Sequence, residues 1–527
     1  HKRPVRLTLD QKNFLTRSFL FFEEFLRNQI WGGRWIASIK GLESVNTVSE
    51  SWEISSHPEH PSSIRLDEVN MLEITEINSL GIGKDFYGEK TLEYFGPKVP
   101  FIAKFLDARD NLSVQVHPDK EEVFMIVGVR ENGKFYLGLK EGVSKEDFEK
   151  AVYSGVDLRE YLNPLEVRAG EVYRVPVGIP HSLQTGVQTI EIGHISDHTY
   201  RLYDYNRDKL VYPSGQHKLQ SRPLHKKEAL DCFNFDSLQG QELIGRLKLR
   251  WTIINGSLEN AIRRERISGH PDFYIERITF FRKKDSFAEG EAYALKDCTD
   301  GRFHVLMCID GIVELKNKMT GDVVILPEGK TVFIPAALGE YEIISRDVQE
   351  AQLLKICPQM PEEQPKFNIG ISVGGTKFKF GLVSNEGEIL SLPEFNWRQK
   401  LARGFQDIKN PQTILNLFME EIGILLNTYS VLPCQIESVG ISWPGPPNNA
   451  ARTVNATFLP FVEYPLEDNL KLEFGRKYNK NIDVNIVLDA YADVFGELKS
   501  KDGILNNKSK GIVLNLATGI EIGVLQD

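Results

Sequence analysis

The sequence predicts a mainly β architecture with an internal repeat over residues 1–357, and a separate unit beyond residue 366. Three observations carry this. Leu112, Val114 and Val116 alternate with Ser113, Gln115 and His117, the period-two signature of a strand with one apolar face. The turn pattern Gly170, Pro176, Gly178 and His181 recurs as Gly329, Pro335, Ala337 and Glu340. The stretch Pro358-Gln359-Met360-Pro361-Glu362-Glu363-Gln364-Pro365 has three spaced prolines and no apolar periodicity, which marks a boundary.

The chain has 527 residues, 41% of them hydrophobic, enough for three or four domains of ordinary size. A net charge of −10 argues against a general nucleic-acid or anionic-membrane surface. The five cysteines, Cys232, Cys298, Cys308, Cys357 and Cys434, are scattered without CxxC pairs, as expected of reduced thiols in a cytoplasmic protein. No apolar run approaches the length of a membrane span, so a soluble chain is expected. The chain opens on His1 and closes on what reads as a strand cut short, so missing residues are expected at both ends.

The order of elements follows from local patterns. The aromatic segment Phe19–Phe22 precedes Trp31-Gly32-Gly33, which reads as a tight turn under a packed aromatic. Glu50 and Glu53 flank Trp52, and either can line a site or pair at the surface. Lys104 lies in the apolar run Pro100–Leu106, where a lysine needs a partner or a bound anion. Ser144, followed by Asp147, is placed to cap a helix within 144–165, between two sets of strands. Beyond residue 247, Arg277–Phe281, His304–Ile309, Gly311–Leu315 and Thr331–Ile334 read as short strands.

Gln115 and His117 project from one strand face, about 7 Å apart along the strand. Glu122 follows the Pro118-Asp119 turn and can return to the same point. An amide oxygen, an imidazole and a carboxylate converging there suit a catalytic metal; the alternative is a polar strand face with a carboxylate in the next turn. The spacing G-x5-P-x-G-x2-H ending at His181 resembles the second signature of the cupin superfamily, whose jelly-roll barrels bind a metal inside. Gln115-x-His117-x4-Glu122 fills the frame of the first signature, with Gln in the first histidine slot.

With WGG, ESWEIS, FIAKFLDA, LSVQVHPD, Ile190-Glu191-Ile192 and the stretch Ser196–Tyr205, residues 31–357 resemble type I phosphomannose isomerase. That family is a group of zinc enzymes interconverting mannose 6-phosphate and fructose 6-phosphate. The resemblance implies one zinc ion in the first barrel, held by Gln115, His117, Glu122 and His181. It implies catalytic roles for Arg201, Glu191 and Asp197, and substrate contacts at Trp31, Lys104, Lys120 and Glu53. Glu50 competes with Glu53 for the acidic position in ESWEIS. Only four residues separate His117 from Glu122, where the family has a longer loop.

The repeat over about 247–357 has Glu340 in the ligand slot and no H-x-H partner, so a structural barrel without metal is expected. After the linker, Phe367–Val383 forms a strand, a turn with Gly374, Gly375 and Thr376, and a returning strand that can cradle phosphate. With Ser438–Pro446, Val487–Ala492 and Leu516–Gly523, this region resembles the amino-terminal part of the ROK (repressor, open reading frame, kinase) family of sugar kinases, which implies an actin-like α/β fold. The family's catalytic base falls on Asp489, but Leu488 replaces the preceding asparagine, Ser372 stands where the phosphate loop has aspartate, and Glu521 interrupts a glycine-rich run. ATP and magnesium are expected only for a complete, active kinase domain.

The expected organisation is a catalytic cupin domain with helical segments over 1–245, a degenerate cupin domain over 246–357, a linker over 358–366 and an incomplete kinase-like lobe over 367–527. The leading functional reading is a zinc-dependent mannose-6-phosphate isomerase acting on a small sugar phosphate through a cis-enediol, with no nucleic-acid or membrane partner. Two alternatives are a bifunctional isomerase and hexose kinase, and a sugar-phosphate sensor without turnover.

Overall fold

The computed structural model describes residues 7–42, 47–67, 70–130, 132–205, 207–209, 220–233, 235, 239–255, 261–267, 270–281, 293–345, 350–360, 366–374, 376–384, 389–391, 395–398, 400, 410–429, 431, 433–444, 447–448, 453–455, 459, 461–478, 480–488, 511–516 and 520–525. The chain forms two compact units, His1–Met360 and Pro361–Asp527. The first is mostly β-sheet. Among the described residues, no helix is long and apolar enough to cross a membrane.

The first unit holds two antiparallel sandwiches. In the first, one sheet runs in the order Phe25–Arg27, Glu50–Ile54, Ile102–Asp107, Val187–Gly193, Glu122–Val129, Val172–Val175 and Lys248–Leu249. The facing sheet runs Leu162–Glu166, Lys134–Leu139, His181–Leu183, Val114–Val116 and Tyr200–Tyr203. The alternation around Gln115 now has a physical meaning. Val114 and Val116 pack outward with Phe148 and Val152 of the helix Lys145–Ser154, and Gln115 lines the cavity between the sheets. Ser144 caps that helix by accepting from the Asp147 N–H at 3.1 Å, as its sequence implies. Because Lys248–Leu249 pairs with Val172–Val175, this barrel continues past the expected boundary at 245.

The second sandwich repeats the layout. One sheet runs Thr252–Asn255, Ile262–Ile267, Phe273–Phe280, Ala351–Pro358, His304–Asp310 and Thr331–Ile334; the other runs Tyr293–Cys298, Glu340–Ser345, Ile312–Asn317 and Val323–Pro327. Pro358 therefore ends a strand rather than starting the linker. The ligand slot also differs from the repeat spacing. A 3-10 turn over Ala336–Leu338 shifts the strand so that Tyr341 pairs across from Asp297, as His181 pairs across from Gln115. Glu340 is exposed. Inside, Lys355 Nζ lies 2.8 Å from Asp297 and 3.1 Å from Glu276, which also holds Arg264 and Arg266. Buried cations and carboxylates neutralise one another there.

The two sandwiches share a dense seam. Leu20 and Phe333 exchange both backbone hydrogen bonds, and Phe333 stacks on Phe86 and Phe303. Gly329 has φ +76°, and a Cβ there would meet the Ile39 carbonyl oxygen at 2.8 Å, so only glycine allows this approach.

The second unit has a mixed sheet in the order Ile389–Ser391, Lys377–Ser384, Phe367–Val373, Ile436–Trp443 and Asp483–Leu488, with Phe395–Asn396 pairing on Lys377–Ser384. Phe367–Val373 and Lys377–Ser384 are antiparallel; the next two pairings are parallel. The helices Pro411–Thr428 and Leu466–Tyr478 are the crossovers that parallel pairing requires. Gly374 donates its N–H to the Lys377 carbonyl in the turn, and Thr376 is exposed. Gly375 and Asp489 lie outside the described residues.

Candidate active site

Three adjacent strands of the five-stranded sheet place His181, Gln115 and Arg201 side by side, because His181 and Arg201 each register against Gln115. The facing sheet contributes Glu122, opposite Gly193, and Glu191, opposite Lys104. A Cβ on Gly193 would crowd Lys120 Cε at 3.2 Å and the Glu121 carbonyl oxygen at 3.0 Å, so the glycine leaves room for this cluster. A cavity of about 150 Å³ lies between the sheets, lined by these groups and by Trp31, Glu50, Asp197 and Arg222 among others.

His117, Glu122 and His181 are buried and aim their ligating atoms at one point. Glu122 Oε2 lies 3.3 Å from Nε2 of each histidine. The short gap after His117 is therefore sufficient. His117 Nε2 and Glu122 Oε2 have no hydrogen-bond partner, although buried polar atoms are nearly always paired. Both imidazoles turn Nδ1 to a backbone carbonyl, His117 to His198 at 2.7 Å and His181 to Ile179 at 3.0 Å. Nδ1 then carries the proton, and the Nε2 lone pair faces the gap, the orientation that a carbonyl on Nδ1 gives a metal-binding histidine. Gln115 puts its amide nitrogen 3.4 Å from His181 Nε2 and its oxygen on Ser113 Oγ. Turning the amide over, which leaves its shape unchanged, aims the oxygen at the gap. This donor set fits a divalent cation.

Beside it runs a ladder of ion pairs. Lys120 bonds Glu122 and, at 2.6 Å, Glu191 Oε1; Lys104 reaches the same Glu191 oxygen at 3.1 Å. Lys104 also sits 4.5 Å from the centre of the Trp52 ring, whose Nε1–H donates to Glu50. Arg27 holds Asp197 at 3.0 Å. Arg201 stands apart. Its Nε is buried without a partner, and burial together with the nearby Arg222 opposes its charge. Arg222 itself is held by Asp204. Among the described residues lining the cavity, Arg201 is the cation left without a carboxylate.

The cavity thus gathers every expected site residue of the first barrel except Glu53. Strand alternation decides between the two glutamates: Glu50 lines the cavity, whereas Glu53 faces the other way and binds Lys40 at 2.9 Å. Arg222 and Arg27 were not anticipated; each lies outside the quoted motifs. A second cluster, His194, His270 and Asp272, has the opposite proton arrangement. There both Nδ1 atoms accept backbone N–H groups, from Glu121 and Asp272, so both Nε2 atoms carry protons and suit hydrogen bonding rather than a metal.

The family model for the catalytic domain of type I phosphomannose isomerase matches residues 20–134. The probable mannose-6-phosphate isomerase GmuF of Bacillus subtilis is 31% identical over 235 residues, covering 40% of this chain and 67% of that protein. The chain belongs to the type I phosphomannose isomerase family. A mannose-6-phosphate isomerase of Streptococcus mutans is 28% identical over 225 residues, 40% of this chain and 66% of that protein. The chain thus spans about two thirds of the length of these curated relatives. The crystal structure of the Bacillus subtilis mannose 6-phosphate isomerase shares the fold, with a TM-score of 0.51 at 22% identity, covering 64% of this chain and 99% of that one. Joined to the isomerase-family region at its carboxyl-terminal side, residues 368–527 match the ROK family.

Proposed function

We propose that the first unit is a zinc-dependent mannose-6-phosphate isomerase, interconverting mannose 6-phosphate and fructose 6-phosphate. The observation that carries this is the pair of buried, unpartnered ligand atoms on His117 and Glu122 beside the unpaired Arg201, in one cavity. Gln115, His117, Glu122 and His181 would hold the metal, which as a Lewis acid polarises the sugar oxygens. Glu191 moves the proton between C1 and C2: its Oε1 is pinned by Lys104 and Lys120, and Oε2 carries no hydrogen bond among the described residues. Arg201 and Arg222 form the positive end of the cavity, where they meet the phosphate and the oxygens of the enediolate. Lys104, already neutralised by Glu191, orients that carboxylate rather than binding phosphate. Trp31 forms an apolar wall. Metal content measured together with mannose 6-phosphate turnover, before and after chelation, tests the reading. Undiminished turnover by a metal-free preparation overturns it.

A second activity has one observation in its favour, the ROK match over 368–527. We infer an actin-like lobe from the mixed sheet and its crossover helices, and a hexose kinase with Asp489 as base and Gly374, Gly375 and Thr376 at the phosphates of ATP–magnesium. ATP-dependent phosphorylation of mannose or fructose by the purified protein is the test; its absence leaves this unit a fold without chemistry.

A further inference from the structure

The strand Glu50–Ile54 is bulged. Trp52 registers against Lys104 and Ile54 against Ala103, so Glu53 is the extra residue. A bulge next to a site re-aims the side chains before it. Here those are Glu50 and Trp52, which bear on Lys104 through a carboxylate and a ring face.

Glu53 is not free to slide. Its Oε1 takes the Lys40 ammonium at 2.9 Å and the Ser51 hydroxyl at 2.5 Å, and its Oε2 takes Thr331 Oγ1 at 2.9 Å. Lys40, with no side-chain exposure, also donates to the Gly329 carbonyl at 2.8 Å. Gly329 and Thr331 belong to the second barrel, and the glycine is what lets its turn approach the helix preceding Lys40. Removing one partner would leave the other charge buried and uncompensated, so this linkage is stiff.

We propose that Glu53, Lys40 and Thr331 form a positioning clamp through which the second barrel sets the bulged strand, and with it the placement of Lys104 against Glu191. This rests on the isomerase reading for its effect on turnover, while the clamp itself is a property of the fold. None of the three residues touches substrate. They act through Glu50 and Trp52.

The experiment compares the full chain with Thr331→Val, Thr331→Ser and Glu53→Gln. Thr331→Val removes one hydroxyl at nearly constant shape, so it folds even if Glu53→Gln does not. Expected for Thr331→Val are unchanged metal content, KM for mannose 6-phosphate within about twofold, and kcat down about 10- to 100-fold. Thr331→Ser restores kcat. Backbone amides of residues 50–54 exchange faster in Thr331→Val whatever the substrate. A wild-type chain inactive on mannose 6-phosphate counts against the isomerase reading alone, and the exchange result then decides the clamp. Wild-type exchange in Thr331→Val, or a fall in melting temperature with kcat per metal unchanged, overturns the clamp.

Discussion

His117 Nε2 lies 3.3 Å from Glu122 Oε2, yet neither buried atom has a hydrogen-bond partner. Two lone-pair donors facing each other across that distance repel unless a cation sits between them. His181 completes the set, so His181→Ala is expected to take metal content from about one ion per chain to near zero and to abolish isomerisation. Metal analysis of the purified variant beside the wild type checks this. A variant that keeps its ion removes His181 from the ligand set.

Arg201 and Arg222 separate by partner. Arg222 is tied to Asp204, whereas Arg201 has a buried Nε with no acceptor and a like charge nearby. An incoming anion relieves that strain only in the bound complex. Arg201→Lys keeps the charge but loses the planar fork, and kcat/KM is expected to fall roughly 100- to 1,000-fold. Arg222→Lys is expected to act mainly on KM, raising it about tenfold. Steady-state kinetics with mannose 6-phosphate decide; equal, small effects in both variants contradict this assignment of charge.

What the sequence made legible was whatever local periodicity encodes. Gln115 and His117 share a face because strands alternate, and the Gly170–Pro176–Gly178 turn delivers His181 to the rung opposite Gln115. What stayed hidden depends on irregularity or on distant chain. The bulge at Glu53 breaks the register between Trp52 and Ile54, and no pattern in ESWEIS announces it. The 3-10 turn at Ala336–Leu338 moves the degenerate slot from Glu340 to Tyr341. Arg222 reaches the cavity from beyond the motif that carries Arg201, oriented by Asp204, a contact invisible to spacing. The strand assignments of the second barrel were readable because Thr331–Ile334 and His304–Asp310 are short apolar runs bounded by turns; the ion network inside it was not, since its members come from four strands.

That network makes the second barrel sensitive to acid. Burial raises the Glu276 carboxyl, but Lys355 and Arg264 outweigh it and hold the group down at about 2, against an ordinary 4.5. A carboxyl depressed in the folded state adds stability that is complete above about pH 4.5 and disappears as pH falls toward about 2. The contribution is on the order of 3 kcal/mol. Glu276→Gln forfeits it and leaves Lys355 and Arg264 facing an amide, so the variant is less stable at pH 7 by about 3–5 kcal/mol. Urea unfolding of both chains between pH 7 and pH 3 isolates the effect from the titration of other carboxylates, because only the difference between the chains is read. That difference is constant above about pH 5 and narrows progressively below it. A gap that does not change with pH would mean that Glu276 is held by packing rather than by its charge.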